Sequence, residues 1–437
     1  MKKNHSKLYL LLFKNYIIEN CLKIKNWKLE ITCPLYYNMK KIQTQKHYEE
    51  FNPKKIKAGY AIVFLLGFSS ALTIYIISSF FQQVSGISNL GFFYIIIYIL
   101  ALIVLLNLHK FIRKFGKSAV FFMSLLVLTS SAMLLAVLPT IWISIFILII
   151  NLIFYTLCLV ELDVILESYS TDKKSGRIRG LHLTIMNTGF ILGPLISTQL
   201  LRAYNFQAVF FAQFVVIFFA LIIALFNFNR INHKFKPIIT ASAIFKKILK
   251  RKNVIRIYYI SLILEFFYFI MTVYMPIYLR NQGMDWKAIG IVFSFMLIPF
   301  VLLQYPAGFV ADKKIGEKEL IIASLLIMAS ATFSLYFIYS INIYIWAIIL
   351  FITRIGAAML EVLRDSYFYK QIDGSDVDII NFFRTSRPAG FIIASAISSI
   401  LILFFPLKSV FILMAFIALS GLIPTFYLVD DKGEEEV

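Results

Sequence analysis

The sequence predicts an all-α membrane protein: twelve transmembrane helices in two pseudo-symmetric six-helix bundles. Three observations carry that prediction. Of 437 residues, 60% are hydrophobic and the mean hydropathy is +0.81, more apolar surface than a soluble chain of this length can bury. Apolar runs close to the ~20 residues that cross a bilayer core recur along the chain. The second half of the chain repeats the first.

Residues 1–58 read as a basic cytosolic extension rich in Lys, Asn, Ile and Tyr, whose "YLLLF" is too short for a signal-peptide core. The lead "MKKIQTQKHYEEFNPKKIKAGY" makes Met39 the expected natural start. Six runs follow near 59–81, 91–108, 118–138, 141–162, 178–200 and 206–228, forming a first bundle over 59–228. A basic linker, 229–254, contains "HKFK" and "FKKILKRK". The second bundle, 255–429, has runs near 255–279, 288–309, 320–340, 343–363, 388–405 and 407–429, and an acidic tail occupies 430–437.

The net charge of +20 raises the question of a nucleic-acid partner, and the placement of the cations answers it. Of 43 Lys and Arg, only Arg202, Arg280, Lys287 and Lys408 fall in or at the edge of the alternate loops and only Arg354 falls deep inside a run. All others lie on one side. That asymmetry is the positive-inside rule; it puts both termini in the cytoplasm of a multi-pass plasma-membrane protein. The basic loops then face anionic lipid headgroups. No basic face is interleaved with stacking aromatics, so nucleic acid is excluded. Cys21, Cys33 and Cys158 show no ligand spacing, which leaves no metal, disulfide or cofactor to expect.

The repeat is visible in non-aliphatic residues. "DVILESY" from Asp163 returns as "EVLRDSY" from Glu361, 198 residues later. Thr73, Tyr75 and Gln83 fall on Thr272, Tyr274 and Gln282, Lys114 and Gly116 on Lys314 and Gly316, and "GFILGPLIS" from Gly189 on "GFIIASAIS" from Gly390. The halves are parallel repeats of six spans.

Six plus six spans about a basic central loop resembles the major facilitator superfamily, and short motifs agree. "GFVADKKIGEKE" at 308–319 is similar to its loop signature between the second and third helices of a half, and "LHKFIRKFGKS" at 108–118 is a degraded copy. "GFILGP", with Gly189, Gly193 and Pro194, resembles the fifth-helix antiporter signature, although Ser197 and Thr198 replace its last glycines. "RIGAA" from Arg354 resembles the membrane-embedded arginine motif. The resemblance spans about 55–430 and is nearest the drug or solute:proton antiporter-like members. It implies a monomeric secondary transporter of a small solute by alternating access, with protons as the coupling ion. It also implies that Asp312 latches onto the start of the fifth helix, near Arg177 and Arg179, where free N–H groups and the helix dipole favour an anion.

An ionisable residue inside the membrane is a functional candidate by default. Glu265 lies about 15 Å into the seventh span at ~1.5 Å per residue, and Arg354 lies at a similar depth in the tenth. Ser261, Glu265, Tyr268 and Thr272 share one helical stripe. Glu265 and Arg354 are expected to face each other across the cavity. Two roles are open to them: a static ion pair that fixes packing, or a proton carrier whose pairing alternates with the transport cycle. Asp163, Glu167, Glu361 and Asp365 sit at the inner ends of the fourth and tenth helices, where acids oppose the dipole and require cations. They are expected to form a cytoplasmic gate network with the basic loops. No enzymatic constellation stands out: "DGSDVD" at 373–378 lacks a calcium-loop spacing, and His182 has no evident partner.

Overall fold

A computed structural model describes residues 22–25, 28–31, 53–87, 89–138, 142–168, 175–228, 248, 251–311, 315–372 and 377–429. The chain divides into two units, 1–52 and 53–437. In the first, strands β1 (Leu22–Lys25) and β2 (Lys28–Ile31) pair antiparallel, with Leu22 opposite Ile31. The second unit is helical.

Its first half comprises α1 (Pro53–Thr73, resuming as Ile77–Ser85), α2 (Gly91–Phe115), α3 (Lys117–Val137), α4 (Trp142–Ser168), α5 (Ser175–Ala203) and α6 (Phe206–Asn227). Its second half comprises α7 (Lys252–Phe269, then Ile270–Tyr274 and Met275–Asn281), α8 (Trp286–Met296, Ile298–Leu302 and Gln304–Val310) and α9 (Glu317–Ser334). There follow α10 (Ile343–Lys370), α11 (Val377–Arg384 and Ser386–Phe404) and α12 (Ser409–Ser420 and Leu422–Phe426). Among the described residues, eleven stretches are long and apolar enough to cross a membrane. The remaining helix, α5, has 29 residues and carries Pro194. Large apolar side chains such as Phe92, Phe146, Phe226 and Leu403 point outward, as a lipid-facing surface requires. We call the end where the chain enters α1 the basic end.

The repeat is written into the backbone. Gly116 and Gly316, equivalent in the two loop motifs, both adopt positive φ, 87° and 89°, a conformation that a side chain would strain. The first helix of each half is interrupted at the same place: α1 breaks after Thr73, and α7 widens into a π turn over Ile270–Tyr274. Such irregular turns are tolerated at membrane depth where they line a cavity or are covered by protein. Asn205, Asp285 and Asn342 cap α6, α8 and α10 by accepting from backbone N–H groups, which satisfies donors a helix start leaves free.

Small residues let helices cross closely. A Cβ at Gly189 would lie 2.8 Å from the Phe64 carbonyl oxygen, and one at Gly193 would strike Ala71, so the fifth-helix motif is a contact surface against α1. The same helix meets the other half, where a Cβ on Gly290 of α8 would lie 3.0 Å from the Pro194 carbonyl oxygen. Away from the basic end, α2 meets α11: Asn89 Nδ2 donates to the Ser399 carbonyl at 2.9 Å, and Ser395 Oγ donates to the Gly91 carbonyl at 2.9 Å.

Candidate functional site

Between the halves lies a cavity walled by α1, α2, α4, α6, α7 and α11. About 610 Å³ is free of protein atoms, and the centre of a water molecule can occupy only about 40 Å³ of it. Its place follows from the breaks just described, for Thr73 and Thr272 reach it from α1 and from the π turn of α7. The first half contributes a neutral polar wall. Asn151 Nδ2 donates to Ser131 Oγ at 2.9 Å, Gln213 Nε2 donates to Asn151 Oδ1 at 3.3 Å, and the Tyr155 hydroxyl lies beside Ser70. The second half contributes Arg387.

Of the sequence stripe on α7 only Thr272 lines this cavity; Ser261, Glu265 and Tyr268 do not, nor does Arg354, and Ser261 and Glu265 share a partner that differs from the expected one. Glu265 Oε1 is bound by Arg364 Nη1 at 3.1 Å, with both side chains buried. The same guanidinium nitrogen donates to Ser261 Oγ at 2.6 Å, and Ser261 donates on to Ser386 Oγ at 2.9 Å. Gly390 makes room for this arrangement, since a Cβ there would lie 2.6 Å from Glu265 Cβ. The Tyr268 hydroxyl is buried without a hydrogen bond, close enough to feel Glu265, Glu361, Arg354 and Arg364.

Arg354 therefore does not pair with Glu265, which corrects the expectation. It is buried on α10 beside the Tyr75 hydroxyl of α1, with its guanidinium 4.9 Å from the centre of the Phe267 ring and its Nε and Nη1 unbonded. The error is one of helix length. Ending the tenth span at 363 assigns Arg364 to a loop, whereas α10 continues to Lys370 and carries Arg364 inside the packed helices. An ion pair surrounded by hydroxyls satisfies both buried charges better than one facing an aromatic ring.

The acids at the basic end use two kinds of partner. Asp163 contacts His182 Nε2 at 3.3 Å and reaches Arg384 Nη2, on the other half, at 3.8 Å. Glu361 Oε2 accepts from Gln304 Nε2 at 2.7 Å, and Gln304 Oε1 accepts from Asn187 Nδ2 of α5 at 3.2 Å, so this network also joins the halves. Asp365 lies 3.4 Å from Arg364 Nε. Asp312 lies outside the described residues, as do the side chains of Glu167, Arg177 and Arg179. One half-buried base and one buried acid are not among the residues the sequence singles out. Arg387 sits one residue before the span drawn at 388, and Glu161, next to the end of the span drawn at 162, accepts from Ser124 Oγ at 3.0 Å.

A family model described as Major Facilitator Superfamily matches residues 59–363 and 287–437. No curated protein matches the chain. Among solved structures, the POT family transporter PepTSo is similar with a TM-score of 0.67 at 12% identity, over 86% of this chain and 97% of that one. An auto-inhibited POT family peptide transporter aligns with a TM-score of 0.68 at 11% identity, over 87% and 98%. At such identities the likeness shows the fold.

Proposed function

The chain belongs to the major facilitator superfamily and is a secondary transporter, and from that premise we propose that it exports a small solute by alternating access in exchange for protons, with Glu265 as the proton carrier. The observation that carries this reading is the buried pair of Glu265 and Arg364 at 3.1 Å. Protonating Glu265 removes the nearer of the two carboxylates on Arg364 and leaves that buried cation to Asp365 alone, 3.4 Å from its Nε. The hydroxyls of Ser261 and Ser386 cannot replace an anion, so α7, α10 and α11 must repack or accept another negative group. That requirement links proton binding to helix movement.

The rocking motion itself would break Asp163 to Arg384 and Glu361 to Gln304 to Asn187, the side-chain links that join the halves toward the basic end. Asp312 at the start of the fifth helix is proposed as a third latch there, with Arg177 and Arg179 beside it. Export rests on the partial antiporter signature around Gly189, Gly193 and Pro194. We place the molecule in the plasma membrane as a monomer with both termini cytoplasmic, its basic end inside.

Proteoliposomes loaded with a pH dye and given an imposed proton gradient test the reading against panels of sugars, dipeptides, organic anions and hydrophobic cations. Wild type should couple the flux of at least one solute to protons, and Glu265→Gln should abolish gradient-driven flux while sparing solute exchange. Normal driven flux in the variant refutes Glu265 as carrier. Absence of flux with every panel, in either direction, favours a transport-inactive sensor or scaffold, and flux running with the proton gradient favours uptake over export.

A further inference from the structure

The cavity that the fold places between the halves has one charged residue in its lining, Arg387, and no acid. Arg387 makes no hydrogen bond or ion pair with another described residue, although its neighbours are rich in polar groups. The nearest carboxylates on that side are engaged elsewhere: Glu265 by Arg364, and Glu361 by Gln304. The Arg387 guanidinium stands 5.9 Å from the centre of the Phe391 ring and feels Glu265 at a distance, then the Tyr98 and Tyr155 hydroxyls and Glu361, without bonding any of them. Tyr98, whose ring packs edge-on to Phe391 at 4.6 Å, presents a hydroxyl that bonds no described residue. A cation and a hydroxyl donor thus line one space without an acceptor of their own.

A guanidinium presents parallel N–H donors that match the two oxygens of a carboxylate or a phosphate. Leaving such a group unmatched in a protein-walled space is unfavourable, and an incoming anion relieves that cost in a way a neutral or cationic solute cannot. The other wall, built from Asn151, Gln213, Tyr94 and Tyr155, supplies amide and aromatic contacts suited to an uncharged remainder. We propose that the transported solute is a small organic anion whose carboxylate or phosphate is held by Arg387 and the Tyr98 hydroxyl. The proposal rests on this cavity being the transport site and is independent of proton coupling.

The test uses the purified full chain in detergent and three ring compounds of similar size: 4-hydroxybenzoate, phenyl phosphate and the neutral 4-hydroxybenzamide. At least one anion should raise the thermal unfolding temperature in a saturable way while the amide does not, and which anion does so distinguishes carboxylate from phosphate recognition. Arg387→Gln should weaken that binding by about tenfold or more, the value of one charge-assisted contact. Arg387→Lys should restore part of it, which shows that a loss in the glutamine variant is not misfolding. An amide that stabilises as well as the anions, an anion shift that persists undiminished in Arg387→Gln, or the absence of any shift with either anion overturns the proposal. Retained anion binding in Glu265→Gln, together with flux indifferent to the proton gradient, leaves the anion site standing and removes only the coupling.

Discussion

Aligned by the internal repeat, Leu66 and Leu166 of the first half occupy the positions of Glu265 and Arg364 in the second. All four are buried. Thr156 likewise stands where Arg354 does, and the neutral chain of Ser131, Asn151 and Gln213 has no charged counterpart beside it. The reverse exchange occurs at Glu161, which stands at the place of Met359. Two halves of one architecture therefore differ in whether the contact between the first and fourth helices of the half is apolar or ionic. Since the leucine version folds, the charges are not what the architecture demands. A buried ion pair is a weak contributor to stability compared with well-packed apolar groups, so its presence in one half points to work done there.

The comparison can be broken most severely at Arg364. Arg364→Leu strands Glu265 without its cation and should destabilise the protein by about 3–5 kcal/mol, seen as a large drop in unfolding temperature. Glu265→Leu combined with Arg364→Leu converts the second half to the first-half pattern and should recover most of that stability, to within about 1 kcal/mol. Gradient-driven flux should be absent from both. A double variant as unstable as the single one would mean that the leucine solution is not transferable between halves; one that still couples to protons would show that the pair is structural.

A smaller effect is expected where the ion pair is accommodated. Gly390→Ala places a methyl group 2.6 Å from Glu265 Cβ, so α7 and α11 must separate, at a cost of about 1–3 kcal/mol. In the first half, Gly189→Ala meets the Phe64 carbonyl and the Phe68 amide instead. Both variants should lower the unfolding temperature by comparable amounts, but only Gly390→Ala should change the proton dependence of flux, because only there does the intruding atom face a titratable group. Equal effects on proton dependence would erase the distinction between the halves.

The fold was legible in the sequence because membrane crossing demands long apolar runs and an asymmetric distribution of cations, and both survive without any knowledge of packing. The duplicated "DVILESY" and "EVLRDSY" placed acids at equivalent helix ends, and Ser261 and Glu265 were correctly set on one stripe of α7. The cavity's arginine and the partner of Glu265 were illegible for one shared reason. Cations are the signal used to end a span, so the limits drawn at 363 and 388 stopped one residue short of Arg364 and Arg387. In the folded molecule a helix carries such a residue inward whenever hydroxyls or an acid receive it, a fact about three-dimensional neighbours. The amide links from Glu361 through Gln304 to Asn187 were hidden similarly, since their members lie 57 and 117 residues apart along the chain.

The finest comparison is between the equivalent acids Asp163 and Glu361. Asp163 depends on charge, with His182 at 3.3 Å and Arg384 at 3.8 Å, and its side chain is 38% exposed. Glu361 accepts from an amide, which a glutamine oxygen accepts equally well. Asp163→Asn should therefore loosen the link between the halves by about 0.2–1 kcal/mol, the range of exposed ion pairs, and raise the population open at the basic end by a factor of roughly 1.4 to 5. Glu361→Gln should shift it less. A cysteine introduced at Thr156 in the cavity wall reports that population through its rate of reaction with a membrane-impermeant maleimide applied from the basic end. Faster labelling in Asp163→Asn than in Glu361→Gln supports an ionic gate in the first half opposite an amide gate in the second. The opposite order would make Glu361, beside Arg364 and Tyr268, the charge on which opening depends.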